Sequence, residues 1–403
     1  MKKLNKLFAI LVAMAMVLSL TVISAFAATG QRATDEDHPA SAKLTKVLKV
    51  PTGTTITSEK FNFSFTQATE GQPATYRIDP LEIDINAADK VSSENGLDTY
   101  VDTIEFPAAT VVFPEPGVYT YTVKEVYTPD EEGGNTKAVE VDTNKTKTYE
   151  YDTANADHYT VKFGVATKSD GETTYVESIG VYDKNDNKVN AGEPEGEDDA
   201  NGFKFENKIT TKIDNVTPQG ETTDPNNTND KIAFDLTKAV TKATGSKDAP
   251  AGQKFAFNVV LTKSALDTTE GEVEYAAQIV SKDSQTKTDV TLKTGTEGND
   301  IKLADGERLV LKEVDVGVGY QITEASYPAF TTNDNMTQVL YIADSGNTKG
   351  FTNEYNDQDD PGTGLSIANL PFIVLALVAV GGLVAYVIVR RKSEDNALVL
   401  TLV

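Results

Sequence analysis

The 403-residue sequence contains no cysteine. Disulfides, thiol catalysis and cysteine zinc sites are thereby excluded, and stability must have another source. Histidine is almost as scarce: His38 and His158 are the only two, which argues against a histidine-based triad or a zinc centre. Basic charge is short as well, with 37 Lys and Arg against 61 Asp and Glu. That balance disfavours a nucleic-acid or anionic-membrane partner and reads mainly as a soluble, self-repelling surface. No long helical periodicity runs through the middle of the chain, and long apolar runs are confined to its two ends.

At the start, Met1-Lys2-Lys3-Leu4-Asn5-Lys6 leads into an apolar run from Leu7 to Ile23 that closes with Ala25-Phe26-Ala27-Ala28. A positive segment, an apolar segment and a small-x-small site form a secretory signal, expected over residues 1–27 with cleavage after Ala27. At the other end Leu370 to Val389 is followed by Arg390-Arg391-Lys392. A run of about 20 apolar residues spans a hydrocarbon core, and cations on its far side stay cytoplasmic. The expected topology is therefore an exported chain, a membrane helix over 370–389 and a cytoplasmic tail over 390–403.

Between these ends the chain alternates short β-rich runs, such as Phe61-Asn62-Phe63-Ser64-Phe65, with clusters of Gly, Asp, Asn and Pro. The expectation is an all-β fold of two tandem β-sandwich domains, over 28–213 and 231–357. A polar, proline-containing linker is expected over 214–230, and a polar spacer over 358–369. Asp183-Lys184-Asn185-Asp186-Asn187 resembles the opening of a calcium loop. Lys188 occupies the place of the required glycine and Pro194 that of the final glutamate, so a solvated turn is the better reading.

Three marks recur in the same order in both halves. The first half has Leu44-Thr45-Lys46-Val47, then Tyr121-Thr122-Val123-Lys124-Glu125, then Phe205-Glu206-Asn207. The second has Leu236-Thr237-Lys238-Ala239, then Tyr320-Gln321-Ile322-Thr323-Glu324, then Phe351-Thr352-Asn353. Side chains alternate faces along a strand, so parity assigns companions. Lys46 falls with Leu44, Leu48 and Val50, and Lys238 with Ile232, Phe234, Leu236 and Val240. Glu125 falls with Tyr119, Tyr121 and Val123, and Glu324 with Tyr320 and Ile322. Asn207 falls with Phe203, Phe205 and Ile209, and Asn353 with Phe351 and Tyr355. An unpaired buried charge costs several kcal/mol or is neutralised by a shifted pKa. A neutral lysine is a nucleophile, and a protonated glutamate can polarise a carboxamide, giving an amide bond and ammonia. A buried Lys–Glu salt bridge with the asparagine in a polar pocket is the alternative on these observations.

The ordered set resembles Gram-positive pilins and related surface proteins built from immunoglobulin-like domains with intramolecular Lys–Asn isopeptide bonds. The resemblance covers essentially the whole precursor and implies cross-links between Lys46 and Asn207 and between Lys238 and Asn353, with Glu125 and Glu324 as the catalytic acids. It also gives meaning to Pro361-Gly362-Thr363-Gly364 ahead of the membrane run, which is similar to a sortase sorting signal with Asp360 in place of the usual leading leucine. The implied partners are a sortase transpeptidase and other pilin subunits or cell-wall peptidoglycan, at the surface of a Gram-positive cell. No cofactor or metal is implied, and the only chemistry is single-turnover and intramolecular. A wall-anchored adhesin that grips a host ligand without polymerising is the alternative function. A surface enzyme would need a convergent catalytic set, and no such set stands out beyond the two triads.

Overall fold

The computed structural model describes residues 31–107, 111–131, 134–142, 145–152, 159–192, 202–213, 234–332, 334–345 and 347–357. The expected signal, linker, sorting motif, membrane helix and tail, together with His158 and the stretch 193–200, lie outside the described residues. Within them the chain is all-β, interrupted by one 3-10 turn at Ala87–Asp89.

The alternation seen in the sequence is what builds the strands. Along Gly117–Val126, Tyr119, Tyr121, Val123 and Glu125 are buried, whereas Thr120 and Thr122 are half-buried and Lys124 is exposed. Such a strand can only rest with one face against a core.

The first half contains two facing sheets. One runs in the order Gln31–Arg32, Thr174–Tyr182, Tyr159–Thr167, Gly117–Val126, Glu59–Gln67, Leu81–Ile85, with Lys188–Val189 beside Thr174–Tyr182. The other runs Lys90–Glu94, Leu97–Phe106, Ala42–Pro51, Lys204–Ile213, Lys145–Glu150, Thr136–Asp142. Between them lies one apolar cluster rich in aromatics, including Phe63, Phe106, Phe163, Phe203 and Phe205. The second half repeats the plan with a six-stranded sheet, Lys287–Lys293, Glu274–Val280, Arg308–Leu311, Phe234–Lys242, Thr348–Tyr355, Phe330–Thr332. It faces a four-stranded sheet, Asn299–Ala304, Lys254–Thr262, Gly319–Glu324, Leu340–Tyr341, across a second core.

The opening and closing strands of each half are parallel neighbours: Ala42–Pro51 beside Lys204–Ile213, and Phe234–Lys242 beside Thr348–Tyr355. Every other strand pairing is antiparallel among the described strands. Parallel neighbours need a long connection. Here that connection is nearly the whole of each half, so its first long strand and its last meet side by side.

The halves also touch. The first closing strand extends past its own core, pairs Lys212 with Asp315 and Ile213 with Val314, and places Ile213 in the second core. The 183–187 segment is a turn in which the Asp183 carboxylate accepts the backbone N–H groups of Asn185 and Asn187 and the Asn187 side-chain amide.

Candidate functional site

Lysine and asparagine sit on adjacent parallel strands of one sheet, and the glutamate reaches them from the facing sheet. In the first half the register sets Lys46 beside Phe205 and Leu48 beside Asn207. In the second it sets Lys238 beside Phe351 and Val240 beside Asn353. The offset between lysine and asparagine is thus the same in both halves. The acids occupy matching places too, Glu125 opposite Phe63 and Glu324 opposite Phe257.

All six side chains are buried. Lys46 and Asn207 are both 0 % exposed and Lys238 is 2 % exposed, which is exceptional for lysine. Each carboxylate bridges the other two groups. Lys46 Nζ donates to Glu125 Oε2 at 2.8 Å, and Asn207 Nδ2 donates to Glu125 Oε1 at 2.7 Å. Lys238 Nζ lies 3.2 Å from Glu324 Oε2 and 3.1 Å from Oε1, and Asn353 Nδ2 donates to Glu324 Oε1 at 2.6 Å.

A phenylalanine box surrounds each triad. The Lys46 amine lies 4.4 Å from the centre of the Phe61 ring, and Lys238 lies 4.3 Å from that of Phe255. Two residues on, Phe63 meets Phe205 at 5.0 Å between ring centres, and Phe257 meets Phe351 at 5.2 Å. Phe61-x-Phe63 and Phe255-x-Phe257 are therefore a fourth recurring mark. The spacing is present in the sequence, but aromatic residues alternating along a strand look like any sandwich core.

This dry setting moves the protons. Desolvation lowers the Lys46 pKa to about 8, against the opposing pull of Glu125. It lowers that of Lys238 too, while Glu324 is raised, again chiefly by burial and against the pull of Lys238. In the second site both shifts favour a neutral amine beside a neutral carboxylic acid. Near the first site Tyr151 stacks on Tyr127 at 4.1 Å, and its hydroxyl pKa is pushed up to about 12 by burial first and the Glu125 charge second.

Geometry of this kind serves a buried Lys–Glu salt bridge and can also serve amide formation. The amine is held against a carboxylate oxygen that can take its proton, and the other oxygen of the same carboxylate faces the nitrogen that would leave the carboxamide. The cross-link residues expected from the pattern are thus brought together in both halves. Pro361, Gly362, Thr363 and Gly364 lie outside the described residues.

Comparison with known proteins gives three results. A family model described as a domain of unknown function, DUF7601, matches residues 233–355, the second half. No curated protein matches the sequence. Among solved structures, the chain is similar to the major pilin of Streptococcus pyogenes, at 17 % identity and a TM-score of 0.28 over 79 % of this chain and 99 % of that one. It is similar also to a second S. pyogenes major pilin, from serotype GAS13637, at 19 % identity and 0.27 over 78 % and 98 %. A pilus-presented adhesin aligns at 11 % identity and 0.22 over 78 % and 100 %.

Proposed function

We propose that this chain is a structural surface protein of the pilin type, each of whose halves is closed by a self-formed lysine–asparagine isopeptide bond. The observation that carries the reading is the repeated bridge, in which one buried carboxylate touches both the amine and the carboxamide nitrogen inside a phenylalanine box. Nζ of the neutral lysine adds to Cγ of the asparagine and forms the C–N bond. The glutamate receives the amine proton through one oxygen and returns a proton to Nδ2 through the other. The Cγ–Nδ2 bond then breaks and ammonia leaves, so the carboxyl group ends as it began. Phenylalanine walls exclude the water that would compete as nucleophile and strengthen each polar contact.

A cysteine-free exported chain gains from this chemistry what others gain from disulfides. Export, anchoring through Thr363 at a sortase site and joining to further subunits or to peptidoglycan complete the proposal. It assigns no turnover of an external substrate. Intact mass of the chain tests the cross-links: two molecules of ammonia should be missing relative to the sequence, and a full unmodified mass refutes the chemistry. A denaturing gel of cell-wall extract tests the assembly. A ladder of covalent multimers is expected, whereas a single wall-linked band would indicate an anchored adhesin instead.

A further inference from the structure

Each closing strand is gripped, at the residue just before its asparagine, by an aspartate that the sequence pattern did not mark. In the first half Asp152 follows the neighbouring strand Lys145–Glu150, whose ladder with the closing strand ends at Lys208 and Glu150. Its Oδ2 accepts the Glu206 N–H at 3.2 Å. In the second half Asp334 follows the edge strand Phe330–Thr332, whose ladder ends at Thr332 and Asn353. Its Oδ2 accepts the Thr352 N–H at 2.8 Å. The side chain thus carries the pairing on where the neighbouring strand stops. Both aspartates are half-buried, both lie between the acid strand and the closing strand in the chain, and each acts electrostatically on the buried lysine of its own half.

We propose that Asp152 and Asp334 are positioning residues for the two cross-links, a role that rests on the isopeptide reading given above. Attack on a carboxamide requires Nζ and Cγ in near-contact with correct alignment, and a misplacement of about 1 Å can cost about 10²-fold in rate. Pinning the peptide that precedes the asparagine fixes the Cα from which that carboxamide hangs. Asp152 contributes a second contact: its own backbone N–H donates to Asn207 Oδ1 at 3.2 Å. That oxygen gains negative charge when the amine adds, and a donor already aimed at it stabilises the addition. Asn353 Oδ1 is buried without a hydrogen bond, so in the second site no donor stands ready for that charge. The first bond should therefore form faster than the second.

Pulse-labelled full-length chain, digested at intervals, reports each bond separately through its cross-linked peptide pair. Asp152→Ala should slow the Lys46–Asn207 bond at least about tenfold and leave the Lys238–Asn353 bond at its normal rate, with Asp334→Ala doing the reverse. Asp152→Asn and Asp334→Asn keep an oxygen that can accept the same N–H and should recover most of the rate. Wild-type rates for both bonds in the two alanine variants would overturn the proposal, as would an equal slowing of both bonds by either variant, which marks a general folding defect. The melting temperature of the cross-link-free Glu125→Ala/Glu324→Ala chain supplies the check on structure, and adding either Asp→Ala change should move it by only a few degrees. Absence of both bonds from the wild-type chain would instead defeat the isopeptide reading itself.

Discussion

Lys46 shows what a single buried amine does to the energetics. An ammonium taken out of water costs several kcal/mol unless it is paired, and here one carboxylate and one aromatic face stand against that cost. Desolvation prevails and the pKa falls from 10.5 to about 8. An unfolded chain keeps the proton up to about pH 10.5, so between about 8 and 10.5 the unfolded state binds more protons and stability rises with pH. Below about 8 the folded lysine is charged and the full desolvation cost stands. Asn207→Ala retains Lys46 and Glu125 and cannot form the bond, so it exposes this linkage. Its unfolding free energy should climb between about pH 8 and 10 by at most about 1.4 kcal/mol per pH unit, and the climb should vanish in Asn207→Ala/Lys46→Met. Tyr121 and Tyr149, whose pKa values are raised by burial, pull the other way at high pH but are common to both variants. Denaturant titrations of the two variants across that range make the comparison, and equal slopes would show that Lys46 is not the group responsible.

At the level of strands, the bond would staple the first strand of each half to the last. Lys238 and Asn353 enclose a loop of about 115 residues, for which loop-closure entropy, by analogy with a disulfide, gives about 4–5 kcal/mol. Glu324→Ala removes the proton carrier while leaving the phenylalanine box in place, and it also removes the group that holds the Lys238 pKa up. The variant should fold with the Lys238 pKa lowered further, show one ammonia loss fewer than the wild type, melt lower, yield sooner to trypsin and extend under force. A second half with the wild-type mass deficit and no extension would show that Glu324 does not carry the proton. Much of this site was legible in the sequence, because strand parity is imposed by the backbone: Lys46, Glu125 and Asn207 had to share faces with Leu44, Val123 and Phe205. What stayed hidden were residues whose local pattern is ordinary. Phe61 and Phe255 look like core, and Asp152 and Asp334 look like turn aspartates until the ladder ends beside them. Pairing of Ile213 with Val314 was equally hidden, since no local signal says that a strand will outrun its own core.

Across the whole molecule, that overrun would put the joint between the halves in the path of any force pulling on the two ends. Ile213 lies six residues beyond Asn207 on one strand, so tension entering through the second core would reach the first half close to the proposed Lys46–Asn207 bond. Further hydrogen bonds reinforce the joint beside this strand. Val316 N–H donates to Thr211 O at 2.8 Å, Asp344 N–H to Gly53 O at 3.0 Å, and the Thr55 N–H and hydroxyl donate to the Asp344 carboxylate at 2.9 and 2.8 Å. Two glycines permit this closeness. Gly53 has φ +104°, and a Cβ there would stand 2.6 Å from Ile342 O; Gly317 has φ +85°, and a Cβ would stand 2.2 Å from Pro51 Cβ. Neither neighbour is the end of a flexible side chain, so an added methyl has to move backbone or a proline ring. The left-handed conformation costs a further 1–2 kcal/mol or so for a residue other than glycine. Gly53→Ala/Gly317→Ala should therefore open the joint without touching either triad, at a cost of about 4 kcal/mol or more to the contact between halves. Both ammonia losses should persist in the intact mass, while small-angle scattering should show a broader distribution of interatomic distances as the halves begin to move independently. An unchanged scattering profile would mean that the pairing of Lys212 and Ile213 with Asp315 and Val314 holds the joint by itself, and that the glycines are accommodated by small shifts of the loops around Pro51 and Ile342.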